Sequence, residues 1–228
     1  MSNYYNDIAK KNLEIMQLTL SDTKNSSIQG DNHSFLNDLS KWADILEGRL
    51  ENEIYKTAFK EYQYCLIFAL QGYYRQAYNS LRFFIEHTHA GLYFSVRELE
   101  LRQWIDGKRD IYWNNILDEN TGFFSTDFFK VFAPDFIEEL SSYKTLAKLL
   151  YRECSEFIHG NYSTYSAVPN TLYYDENTFK TFSKKVNSSI NLITFSLTSR
   201  YLNVLNDKQK SELESSILDR IGHIKVLD

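Results

Sequence analysis

The sequence predicts an all-α fold, and three observations carry that expectation. Apolar residues recur at three- and four-residue steps through most of the chain, as an amphipathic helix requires. Only two prolines and eight glycines occur in 228 residues, so few positions forbid a helix. The breaks that do occur, at Gly72, Gly107, Gly122, Pro134 and Gly160, fall between the periodic segments. The length fits one main domain with helical appendages and a sizeable core. Aromatic residues make up 16% of the chain, with 17 Tyr and 16 Phe, which predicts a thick aromatic core.

The helices follow in order. Ile8, Leu13, Ile15, Met16 and Leu20 form a loose first pattern, and the turn-forming stretch SDTKNSSIQGDN then predicts a mobile linker over 21–32. From Ser34, the residues Phe35, Leu36, Leu39, Trp42, Ile45, Leu46 and Leu50 line one face of a helix expected to reach Glu51. Ile54, Ala58, Tyr62, Cys65, Leu66 and Ala69 define another, broken at Gly72. Beyond it Tyr74, Tyr78, Leu81, Ile85 and Leu92 keep the period, with Ala77, Ser80 and Ala90 small enough for close helix approach. This is an antiparallel helical hairpin.

Between about 95 and 133 the pattern loosens into short apolar bursts around Gly107, Gly122 and Pro134, which predicts short helices and a loop. Asp135 is the expected N-cap of the next helix, which stops at Gly160 and Asn161, residues suited to a left-handed C-cap. After an aromatic loop containing Pro169, Asp175 and Glu176 open a core helix of about 30 residues, marked by Phe179, Phe182, Val186, Ile190, Ile193, Leu197, Tyr201 and Leu205. The segment from Asp207 to Leu227 reads as a terminal helix. The expected organisation is an N-terminal helix and linker at 1–33, a main helical domain at 34–206 with an insertion at 95–134, and a C-terminal helix at 207–228.

Composition excludes several functions. The formal net charge of −5 provides no global field for a polyanion. Cys65 and Cys154 are far apart and lie in apolar helical patterns, as buried thiols do, which predicts neither a disulfide framework nor a metal knuckle. The N-terminal stretch lacks a signal-peptide pattern, and no run approaches the roughly 18 apolar residues of a membrane span, so the expected location is cytoplasmic with no membrane contact. A Gly-rich phosphate loop, zinc-ligand spacing and a nucleophile elbow are all missing from the sequence.

One compact polar group stands out, in YRECSEFIHG: Arg152, Glu156 and His159 follow each other by four and three residues and share a helix face. Arg152 and His159 lie about 10 Å apart along the axis and within about 20° around it. A guanidinium offers a planar cation to a phosphate and an imidazole can exchange a proton, the minimum for phosphodiester cleavage without a metal. The same spacing also suits an Arg152–Glu156 ion pair with His159 as a helix C-cap, which involves no catalysis. His87 and His89, beside Glu86, point in different directions along one helix, which disfavours a metal site, and Glu86 pairs more naturally with Arg82. Tyr162, Tyr165, Tyr173 and Tyr174 could stack on RNA bases or pack as a loop.

The Arg152-x6-His159 arrangement near a helix end resembles the Arg-x4-6-His motif of the HEPN superfamily, helical-bundle proteins of prokaryotic defence and toxin systems and of RNA processing. The hairpin LQGYYRQAYNSLRFFIEHTHAGLYF is similar to the first hairpin of that family, and together the two matches span about residues 50–205. The resemblance implies an up-down bundle and a metal-independent endoribonuclease effector of antiviral defence or a toxin system, with no cofactor and no metal. In that chemistry Arg152 and His159 would be catalytic, Ser155 and Glu156 orienting groups, and Tyr162 and Tyr165 stacking surfaces for RNA. It also implies a homodimer in which two protomers bring their motifs together. Glu153 stands where many active members carry a polar amide. That departure favours the alternative, a non-catalytic scaffold that dimerises or docks into a defence complex with protein partners. A third reading is a sensor that binds a nucleotide or tRNA end without cutting it.

Overall fold

The computed structural model describes residues 2–165, 168 and 172–224, and no strand occurs among them. The fold is all-α. Ten α-helices follow in order: α1 Ser2–Ser21, α2 Ser26–Ile45, α3 Asn52–Leu70, α4 Tyr74–Phe94, α5 Glu98–Ile105, α6 Trp113–Leu117, α7 Thr126–Phe132, α8 Leu140–Ile158, α9 Glu176–Tyr201 and α10 Asp207–Ile221. Pro169 and residues 225–228 of the expected terminal helix lie outside the described residues.

The α3–α4 hairpin forms as the periodicity predicts, and α4 is the hub of the bundle, packed against α3, α8 and α9. Gly72 makes the sharp turn between its arms with φ at +79°, a conformation open to a residue without Cβ. The α3 side chains Tyr55, Ala58, Tyr62, Cys65 and Ala69 are buried against Ala77, Leu81, Phe84 and Ile85 of α4. Gly91 provides the closest approach: a Cβ there would stand 2.4 Å from the Tyr55 ring. Aromatic contacts extend this core outward, with Tyr78 stacked on Phe157 at 3.8 Å and Tyr143 on Phe195 at 3.7 Å.

The stretch expected as an insertion is built into the core. Trp113, Ile116, Phe123, Phe124, Phe128 and Phe129 are all buried, and Trp113 and Phe124 surround the fully buried His89 at 5.7 and 5.2 Å between ring centroids. Short aromatic bursts thus cover the end of α4 where a longer helix would otherwise be needed.

Four expectations are corrected. The stretch 21–32 is structured: Asp22 caps a short 3₁₀ turn by accepting from the Lys24 N–H at 3.0 Å, and α2 begins at Ser26. Buried Asn25 ties this corner down, donating to Thr19 O at 2.9 Å and Tyr174 Oη at 3.1 Å, so tertiary contacts override turn-prone composition. The boundary expected between 33 and 34 therefore falls inside α2. That helix ends at Ile45, six residues early, because Gly48 turns the chain with φ at +84°, leaving Leu50 exposed. Asp135 is not the N-cap of α8: it sits in a 3₁₀ turn at Pro134–Phe136, and α8 starts at Leu140 after Glu139. Finally, α9 has 26 residues and stops at Tyr201, and Leu205 is buried from an extended position beyond it.

At the start of α9 the chemistry is as expected, and α10 adds a cap not singled out from sequence. Asp175 caps α9 by accepting from the Thr178 N–H at 2.7 Å. Asn206 and Gln209 form a reciprocal capping box at the start of α10. Through that cap α10 lies across α2 and α9. Helix α1 is held more lightly. Its buried side chains are Ile15 and Thr19, whereas Leu13 and Leu20, expected on its apolar face, are exposed.

Candidate functional site at the end of helix α8

Helix α8 buries Leu140, Tyr143, Ala147, Leu150 and Cys154 and leaves the opposite face to solvent. Lys148, Arg152 and His159 are exposed on it, with Ser155 and Glu156 half-buried between them. No ion pair among the described residues involves Arg152, Glu156 or His159, so the expected Arg152–Glu156 pair is not formed. Glu153 instead pairs with Lys185 of α9 at 2.6 Å, which ties α8 to its neighbour and directs that carboxylate away from Arg152. The contact from Glu86 to Arg152 that the sequence allowed is not made: Glu86 lies 3.5 Å from Arg82.

The helix end is fixed by three devices. Gly160, with φ at +63°, reverses the chain, and the Asn161 N–H returns to Glu156 O at 3.1 Å. His159 is the C-cap residue, its own N–H donating to Ser155 O at 3.0 Å. Arg75, from the first turn of α4, donates from Nη1 to the Phe157 carbonyl. A cation placed there satisfies an orphan carbonyl and matches the negative end of the helix dipole. Arg75 was not singled out from sequence. Its signal, an Arg three residues past a Gly turn, has meaning only once α4 and α8 are known to be neighbours.

The expected supporting residues divide. The Ser155 hydroxyl donates to Tyr151 O at 2.7 Å, so its proton is committed to the helix backbone. Tyr162 and Tyr165 are 87% and 57% exposed with ring centroids 5.6 Å apart, a pair of open aromatic faces just past His159. Tyr174 is not such a surface, because its hydroxyl donates to Asp22 at 2.7 Å and anchors the N-terminal corner.

Beside Arg152 in sequence, at Tyr151, a second polar group lies between α4 and α8. Arg82 donates from Nη2 to Tyr151 Oη at 2.5 Å, its guanidinium carbon stands 4.6 Å over that ring, and Trp113 stacks on the other side of Tyr151 at 4.5 Å. Burial raises the Glu86 carboxyl above its ordinary range, opposed by the Arg82 charge. This group cross-links helices and leaves Arg152 to solvent.

The two histidines of α4 play structural parts. His89 Nδ1–H donates to Ile85 O at 2.7 Å, which leaves Nε2 to accept from Ser196 Oγ at 3.0 Å, and burial lowers its pKa to about 4. His87 stacks on Phe83 at 3.5 Å, and burial lowers its pKa as well. Cys65 and Cys154 are buried free thiols, both raised by desolvation. No helix among the described residues is long and apolar enough to cross a membrane.

The site is thus a cation and an imidazole, both solvent-facing and without ionic partners among the described residues, on a capped helix end followed by two open aromatic rings. Such a surface can bind an anion at Arg152 and exchange a proton at His159. No family model, curated protein or solved structure matches the chain.

Proposed function

We propose that the protein is a HEPN-like endoribonuclease, acting without a metal and as a homodimer, in an antiviral defence or toxin system. The observation that carries this reading is the exposure of Arg152 and His159 without ionic partners on one face of α8. An Arg–Glu pair with a capping His would instead hold these charges in contact with each other. The exposed Lys148, one turn before Arg152, extends the cationic row, and Tyr162 and Tyr165 offer stacking faces at the other end. In the proposed reaction His159 transfers a proton at the ribose 2′-hydroxyl or the leaving oxygen, and Arg152 stabilises the charge on the phosphorane. Seven residues of helix separate the two by about 10 Å, so a second protomer is needed to complete each site around one phosphate.

Purified protein is expected to cleave single-stranded RNA in the presence of EDTA. His159→Ala should lower that rate by about 10²–10⁴-fold and change stability by less than about 0.5 kcal/mol, since the side chain is exposed. Cleavage that persists in His159→Ala removes this residue from the mechanism.

The second reading, a non-catalytic assembly subunit, is favoured by α1. This helix exposes Tyr4, Tyr5, Leu13, Leu18 and Leu20, a set that a partner protein could cover. In the form that makes Arg152, Glu156 and His159 a buried network, that reading fails, because Arg152 and His159 are exposed. The discriminator is intact RNA with the wild-type protein, together with co-purification of a partner that is lost on charged substitution at Leu13.

A further inference from the structure

An amphiphilic cleft lies on the side of the bundle bounded by α2, the last turn of α3 and the first half of α9. Its inner chamber, about 160 Å³, is walled mainly by Leu36, Leu66, Leu70, Phe179, Phe182 and Val186, with the polar side chains of Gln29 and His33 also lining it. An engineered apolar cavity of about 150 Å³ stays dry and accepts benzene, so a chamber of this size takes one phenyl ring or a short alkyl chain. The chamber adjoins a wider polar mouth of about 510 Å³, and Asn32 and Ser183 line both. Around that mouth stand Lys180, Lys184, Asn187 and Asp31.

The charges of the mouth select the ligand. Lys180 lies 2.6 Å from Glu176, a carboxylate that also holds Lys24 at 3.0 Å, and Asp31 faces Arg220 at 3.8 Å. Lys184 is exposed and has no ion pair among the described residues, so the mouth keeps at least one uncompensated cation. At the junction with the chamber, the Tyr62 hydroxyl donates to Asn32 Oδ1 at 3.2 Å, which leaves the Asn32 Nδ2–H groups as donors on that wall. Ser183 spends its proton on Phe179 O at 2.8 Å. A largely apolar pit for one hydrocarbon body therefore opens onto a donor amide and an unpaired ammonium, the complement of a carboxylate.

We propose that this cleft binds a small amphiphilic carboxylate, its aromatic or short aliphatic body in the chamber and its carboxylate between Asn32 and Lys184. The site lies apart from Arg152 and His159 and is independent of the RNA-cleavage reading.

The test uses three probes of one shape and different charge, 3-phenylpropanoate, 3-phenylpropanamide and 3-phenylpropylamine, titrated into the full chain by calorimetry and NMR. The carboxylate is expected to bind saturably at one site, the amide about fivefold more weakly, as loss of one exposed charge contact implies, and the amine more weakly still. Lys184→Glu, on an exposed position, should weaken the carboxylate about fivefold or more and leave the amide unchanged. Leu70→Trp should fill the chamber and abolish binding of all three. The proposal is overturned if the carboxylate fails to saturate, if the amine binds as well as the carboxylate, or if Lys184→Glu leaves carboxylate affinity unchanged.

Discussion

Gly91→Ala sets two effects of opposite sign against each other at the tightest helix contact in the bundle. Ala is favoured over Gly in a helix interior by about 1 kcal/mol. Position 91 lies inside α4, so propensity alone would make the variant more stable. Against this, the added methyl carbon would lie 2.4, 2.7 and 3.0 Å from three atoms of the Tyr55 ring, where carbon atoms normally approach to about 3.5–4.0 Å. Tyr55 has no room to yield. It is fully buried, its hydroxyl is 2.8 Å from Tyr201 Oη, and Tyr201 in turn donates to buried Glu51 at 2.9 Å. Overpacking of this kind costs about 1–3 kcal/mol, and the depth of the overlap places it at the upper end of that range. The net expectation is a loss of about 1–2 kcal/mol, or about 3–6 °C in Tm for a chain of this length. Urea and thermal unfolding monitored by circular dichroism measure it. In a Tyr55→Leu background, where the ring is gone, the same Gly91→Ala change should be neutral or stabilising. A Gly91→Ala protein as stable as wild type would refute the α3–α4 approach described here.

Two further substitutions follow from the same structure. His89 titrates near 6.5 when unfolded and is lowered to about 4 when folded. Above pH 6.5 both states are neutral. As pH falls from 6.5 towards 4 only the unfolded state takes up the proton, so stability declines by about 3 kcal/mol over that window. His89→Gln should flatten that part of a pH-dependent unfolding curve, and an unchanged slope would place the acid sensitivity elsewhere. Gly160→Ala should cost about 1 kcal/mol by forcing a side chain into φ +63°. If RNA cleavage is confirmed, it should also reduce the rate, measured as product per time at saturating RNA, because the strained residue adjoins His159.

Much of this architecture was legible in the sequence because packing and period agree. Tyr74, Tyr78, Leu81, Ile85 and Leu92 are all buried at the spacing that marked them, and Gly72 and Gly160 turn the chain where a residue without Cβ was needed. The failures arose where local and tertiary forces diverge. The run SDTKNSSIQGDN has the composition of a turn, and it is helical from Ser26 because Asn25 reaches both Thr19 and Tyr174, a residue about 150 positions away. Phe123, Phe124, Phe128 and Phe129 follow no helical period over a useful length, so their place against His89 and Phe195 is visible only in three dimensions.

The same divide runs through the candidate site. Spacing alone placed Arg152, Glu156 and His159 on one face, but it could not tell a solvent-facing pair of functional groups from a mutually satisfied surface network. The contacts that bear on this lie on other helices. Lys185 of α9 takes Glu153, Glu86 of α4 takes Arg82, and Arg75 of α4 takes the Phe157 carbonyl, so two nearby carboxylates are drawn away from Arg152, while Glu156, on the same face, forms no ion pair among the described residues. The backbone around His159 is held at both ends by Gly160 and Arg75, which keeps the imidazole on a rigid support without burying it. Whether that support serves proton transfer beside a phosphate-binding cation is what RNA cleavage by wild type and His159→Ala decides.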